Sequence, residues 1–210
     1  MNYSFIQISD CHIDDEKNVW GTDSQKNLST IVKSISNRNY NALIISGDLA
    51  HNGTASSYST LKDIIQPISD NLFILPGNHD NKLNLSSAFS EHYLPKLTIA
   101  DWEIISIDSV QENKTSGFLN KAKLELLTKK ILSSTKKFIV LCLHHPPISM
   151  ESDWDDKKSL ENSDDLKEVD VERYEAGKNF VEDLEEKVEE QDTVINKLRN
   201  EQEKLNGLVN

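Results

Sequence analysis

The sequence predicts an α/β fold, a sheet whose strands are joined by crossover helices, with a ligand site beyond the carboxyl ends of the strands. Three observations predict it. Short apolar runs of strand length recur along the first 143 residues, segments with apolar residues at helical spacing lie between them, and clusters of Asp, Asn and His follow several of the runs directly. Tyr3 to Ser9 alternates for most of its length. Ala42 to Ser46, Leu72 to Leu75, Glu103 to Ile107 and Phe138 to Leu143 are largely apolar and rich in Ile, Val or Phe, which predicts buried strands. Asp23 to Asn37 carries Leu28, Ile31, Val32 and Ile35 on one helical face. Ser57 to Ile68 does the same with Tyr58, Leu61, Ile64, Ile65 and Ile68, and Leu119 to Leu132 with Leu124, Leu126, Leu127 and Ile131.

Composition narrows the function classes. The 210 residues are 37% hydrophobic and 28% charged, an ordinary balance for a folded chain. The net charge of −12 is uneven, with −1 over residues 1–150 and −11 over 151–210. Neither part has the Lys and Arg excess that phosphate neutralisation demands, which argues against a nucleic-acid surface and leaves a small phosphorylated substrate open. The chain enters a strand-like run at once, with no basic and apolar leader and no span of about 18 apolar residues, so a cytoplasmic protein without membrane anchorage is expected. Cys11 and Cys142, both beside strand runs, suit unpaired thiols in a reducing compartment.

From Lys178 the pattern changes. Val181, Val188, Ile195, Gln202 and Val209 repeat every seven residues, and Leu184, Gln191, Leu198 and Leu205 follow three later. This a/d seam predicts a coiled-coil helix over 178–210 and a parallel homodimer through it, with Gln191 and Gln202 fixing register. The alternative is an amphipathic helix packed on its own domain, but flanking Glu182, Glu185, Glu186, Glu189 and Glu190 resist burial. The expected organisation is therefore a globular domain over 1–166, an acidic linker over 167–177 and the coiled coil.

The chemistry sits in four segments. Asp10 and His12 follow Phe5-Ile6-Gln7-Ile8, and a period of two places both side chains on one side with Cys11 on the other. A carboxylate and an imidazole together suit Mn, Fe or Zn better than Ca. Asp48 follows Ile44-Ile45-Ser46-Gly47, where Gly47 lets the backbone turn and exposes a carboxylate able to bridge two ions. In Leu75-Pro76-Gly77-Asn78-His79-Asp80, Asn78 offers a neutral carbonyl oxygen to a metal and His79 can protonate a leaving alkoxide. Asp80 is expected to orient His79 through its ring nitrogen. His144 and His145 end the last apolar run, and Pro146-Pro147 stops the strand there. One of the pair is a metal ligand, with His144 ahead of His145. His51 lies near the pocket without an assignment, and His92 reads as an ordinary helix-end histidine.

In order, Gln7-Ile8-Ser9-Asp10, Gly47-Asp48-Leu49-Ala50, Leu75 to Asp80 and Leu143 to Pro147 resemble the calcineurin-like metallophosphoesterase superfamily, most closely its bacterial class III cyclic-AMP phosphodiesterases. The likeness extends through Ser152 to Asp155, Ser159 to Asn162 and Leu166. It implies a sandwich of mixed β-sheets flanked by helices and a binuclear site with two divalent ions, Mn or Fe first and Zn or Mg as alternatives. By resemblance Asp10 and His12 bind the first ion, Asp48 bridges, and Asn78 and His144 bind the second. His79 acts as the acid in hydrolysis of 3′,5′-cyclic AMP or a similar small phosphodiester. Relatives complete such a site with a Gly-His-x-His segment, and no Gly-His pair occurs in this sequence. The resemblance therefore implies a truncated domain lacking later strands, each ion short of one imidazole. The competing reading is a weak or inactive metallophosphoesterase-like protein with a coiled-coil dimerisation tail.

Overall fold

The computed structural model describes residues 3–16, 19, 21–93 and 96–169. The heptad segment and all but the start of the linker lie outside these residues. Residues 1–166 form one compact unit.

Two three-stranded sheets organise that unit. β1 (Phe5–Ile8), β2 (Ala42–Ser46) and β3 (Leu72–Leu75) pair in that order, all parallel, and α1 (Ser24–Ile35) and α2 (Ala55–Ile65) are the crossovers. After α3 (Lys82–Ala88) come β4 (Lys96–Ile99), β5 (Trp102–Ser106), α4 (Lys121–Leu132) and β6 (Phe138–Cys142). β4 pairs antiparallel with β5, and β5 parallel with β6, so the second sheet is mixed.

β2 is buried at all five positions because each of its faces meets a different layer. On one face Leu43 and Ile45, with Ile74 of β3, pack with Leu28 and Val32 of α1, Tyr58, Leu61 and Ile65 of α2, and Leu85 of α3. On the other, Ile44, Phe73 and Leu75 meet Ile104 of β5, with Leu97, Val140 and Cys142 alongside, which is the seam between the sheets. Each such apolar side chain taken from water contributes about 1.5–3 kcal/mol, so the alternation of faces along β2 drives both contacts.

Each crossover helix starts at a polar cap: Asp23 accepts from the Lys26 amide, Thr54 from Ser57, and Asn120 from Lys123. These caps set the observed starts, so α2 begins two residues before the apolar spacing suggests. One expectation needs correction: β6 is half-buried rather than buried, being the last strand of its sheet among the described residues. β1, the other sheet's end strand, is half-buried at three positions and exposed at Gln7. Glu103, at the start of its apolar run, is buried and paired with Lys96 of β4. α3 and β4 were not expected. α3 has seven residues and buries only Leu85, and β4 has four residues, too few for either period to stand out.

Candidate metal centre

The site forms where β1, β2 and β3 end side by side. The β1–β2 pairing runs on past the strands: Asp10 N–H donates to the Gly47 carbonyl at 3.1 Å, His12 to Asp48 at 3.0 Å and Ile13 to Leu49 at 3.0 Å, and His51 N–H donates back to Ile13 at 2.9 Å. Within this stretch Asp10, His12 and Asp48 all adopt left-handed backbone, with φ of 55°, 43° and 51°. Asp10 and His12 are thus aligned by two left-handed residues and not by strand alternation, while Cys11 does turn to the other side and packs on the helix-covered core. Non-glycine residues in this region cost about 1–3 kcal/mol each and persist only where their surroundings hold them.

Asp48 is buried and sits centrally. Its Oδ2 lies 3.6 Å from His12 Nε2, and its Oδ1 lies 3.5 Å from His144 Nε2 and accepts the His79 amide at 2.9 Å. One carboxylate therefore turns an oxygen to each of two imidazoles. His12 Nε2 is also 3.9 Å from Asp10 Oδ1. His144 arrives from the end of β6, and its Nδ1–H donates to the Ser46 carbonyl at 2.9 Å, which fixes the tautomer that presents Nε2 to the site. Glycines make these approaches possible. A Cβ on Gly47 would lie 2.2 Å from His144 Nδ1, and one on Gly77 would lie 2.1 Å from Asp48 Oδ1.

Charge is tuned within the cluster. Burial opposes ionisation of Asp48, but hydrogen bonding and charge from His144 and His79 outweigh it and hold the carboxyl below its ordinary value. Burial lowers His12, outweighing the pull of Asp48, so its imidazole is neutral at pH 7. For His144 burial loses instead: Asp48, the Ser46 carbonyl and Asp10 together raise it. His145 is turned away. It is buried, its ring is bonded to Ser109 Oγ through Nδ1 at 2.8 Å, and burial with the neighbouring His144 drops it to about 4. Gly117 has no room for a Cβ against that ring.

Asp80 does something other than orient His79. Its buried carboxylate accepts from the amides of Leu49, Ala50 and Gly77 and from the Tyr58 hydroxyl, at 2.9–3.1 Å, tying the loop after β2 to the turn after β3. The His79 ring uses Nδ1 on the carbonyl of His51 at 3.1 Å. Asn78 is half-buried on the turn between Gly77 and His79, both of which touch Asp48. His92 lies past the end of α3, with its amide on the Phe89 carbonyl and its own carbonyl accepting the Ile74 amide of β3.

His51 is the residue that sequence reasoning left unassigned. Its Nδ1 lies 3.5 Å from His12 Nδ1, and its ring stacks on His79 at 5.2 Å. The ligand atoms of His12, His51 and His79 lie within 4.8 Å of one another, as do those of Asp10, Asp48 and His144. Its nearness to Asp48 in the chain was the only signal. Two adjoining groups of carboxylate oxygens and imidazole nitrogens, with neutral His12 and ionised Asp48, fit divalent transition-metal ions.

Such a sheet pair carrying a carboxylate–imidazole cluster at its strand ends is the architecture of a metal-dependent phosphoesterase. The chain belongs to the calcineurin-like phosphoesterase family, whose profile matches residues 3–195. It is 49% identical over 166 residues to a probable cyclic nucleotide phosphodiesterase of Vesicomyosocius okutanii, covering 79% of this chain and 71% of that one. It is 29% identical over 187 residues to the 3′,5′-cyclic adenosine monophosphate phosphodiesterase CpdA of Vibrio vulnificus, covering 84% and 67%. Among solved structures, a dimetal phosphatase from Danio rerio superposes with a TM-score of 0.63 at 12% identity, covering 80% of this chain and 76% of that one, which is a likeness of fold. No helix among the described residues is long and apolar enough to cross a membrane.

Proposed function

We propose that the chain hydrolyses 3′,5′-cyclic AMP or a similar small phosphodiester at a pair of divalent ions. The observation that carries this reading is Asp48, a single buried carboxylate with one oxygen toward His12 and the other toward His144. Asp10 and His12 would hold the first ion and Asn78 and His144 the second, with Asp48 shared and His51 near enough to add an imidazole. The names of the cyclic nucleotide phosphodiesterase relatives support the substrate class.

Bound ions would lower the pKa of the attacking water and neutralise charge gathering on the phosphoryl oxygens. The chain's own residues supply the rest. With Nδ1 donating to the His51 carbonyl, protonated His79 delivers its proton from Nε2 to the departing 3′ oxygen as the P–O bond breaks, and is left neutral. The left-handed residues 10, 12 and 48 hold the donors in place before substrate arrives, so little ordering remains for the reaction. The heptad pattern over 178–210 supports a homodimer as part of the same reading.

Incubation with Mn²⁺ and either bis-p-nitrophenyl phosphate or cyclic AMP tests this directly. Asp48→Ala should lower turnover at least about 100-fold, since removing even a supporting group of a metal site costs about 10- to 100-fold. Equal rates for wild type and variant would refute hydrolysis at this site.

A further inference from the structure

A cavity of about 380 Å³ opens beside Asp10 and His12, between the end of β1 and helix α1. We infer that it receives the nucleobase of the phosphodiester, an inference that rests on the hydrolytic reading above and names what lies on the far side of the phosphoryl group. Its size falls within the range of small-molecule pockets, about 300–1,000 Å³, and its wall is shared with two of the proposed ligands of the first ion. A phosphoryl group held at that ion would lie next to residues that also line this cavity.

The lining selects the occupant. Val19, Leu28 and Ile31 give apolar surface of the kind that covers the faces of a flat ring. Thr22, Ser24 and Asn27 add hydrogen-bonding groups. Ser24 Oγ is buried and has no hydrogen-bond partner among the described residues. The Asn27 amide can both donate and accept, the pairing that suits the ring nitrogen and amino group of adenine. Among the described lining residues Asp10 carries a carboxylate, which disfavours a second anion there. A neutral heteroaromatic ring with polar edges fits what is present.

Calorimetric titration of the Mn²⁺-loaded chain with AMP and with ribose 5-phosphate, which carries the same phosphate without a base, isolates the contribution of the cavity. AMP should bind at least about tenfold more tightly, the equivalent of one or two good hydrogen bonds with burial of the ring. Ile31 is half exposed on α1, so Ile31→Trp fills the cavity without entering the core and should collapse the ratio of the two affinities toward one. Asn27→Ala, at an exposed position, should raise the KM for cyclic AMP about fivefold with little change in kcat. Equal affinities in wild type, or a ratio that Ile31→Trp leaves intact in a protein with an unchanged circular dichroism melt, would overturn the inference while diester hydrolysis stands. If wild type neither hydrolyses a diester nor binds either phosphate, the reading of function fails, and the base site falls with it.

Discussion

Asp80 shows how a side chain beside the chemistry can serve it through the backbone. Its two oxygens take three amides and a hydroxyl, and the amides belong to the loop that carries Asp48 and His51 and to the turn that carries Asn78 and His79. From the sequence, adjacency to His79 suggests a carboxylate–imidazole pair, yet neighbouring side chains on a tight turn diverge, and here the histidine ring meets a carbonyl instead. Asp80→Ala leaves three amides without an acceptor in a buried place, each at a cost of about 1–3 kcal/mol before relaxation, and takes the acceptor from the Tyr58 hydroxyl, which still accepts the Asn81 amide. Because these costs overlap, the expected loss is about 3–5 kcal/mol in urea unfolding. Asp80→Asn, which keeps one accepting oxygen, should fall between. Should Asp80→Ala unfold at the wild-type urea midpoint, the clamp has no energetic weight.

At the scale of elements, the site depends on what happens one residue past each strand. Apolar runs make β2 and β3 legible in the sequence, and apolar residues at helical spacing place the starts of α1 and α4 within two residues. Left-handed backbone at Asp10 and His12 is not legible, since Asp and His in any loop look alike until the partner carbonyls of Gly47 and Asp48 are known. His51 is hidden for the same reason: only the continued β1–β2 pairing brings it to His12 and His79. Gly47 carries both constraints at once, with φ of 103° and no room for a Cβ against His144. Gly47→Ala should cost about 1–3 kcal/mol for the backbone and push His144 off Asp48, so that Mn²⁺ affinity falls at least about tenfold by electron paramagnetic resonance titration. Gly21, with φ of 80° and open space around it, is the control. Gly21→Ala should show the backbone cost alone, and matching metal affinities for the two variants would remove the steric account of Gly47.

For the whole molecule, the charge distribution and the heptads make a joint prediction. Residues 151–210 carry −11, so pairing two such segments sets like charges together, opposed by the apolar a/d seam of Val181, Leu184, Val188, Ile195, Leu198 and Leu205. In this frame Lys187 falls at a g position and Asp192 at the following e position, a pairing of opposite sign between parallel chains. Glu182, Glu189 and Glu190 fall at b and c positions, where they repel across the dimer only through solvent and are screened by salt. Screening weakens the attractive pair as well, but the net charge is large and negative, so repulsion dominates at low ionic strength. Sedimentation equilibrium should therefore find the 210-residue chain as a dimer that tightens as salt rises from about 0.02 to 0.5 M, while a chain ending at Glu175 stays monomeric throughout. A monomer at every salt concentration for both chains would remove the dimer, and dimers of both would move the interface into the phosphoesterase domain.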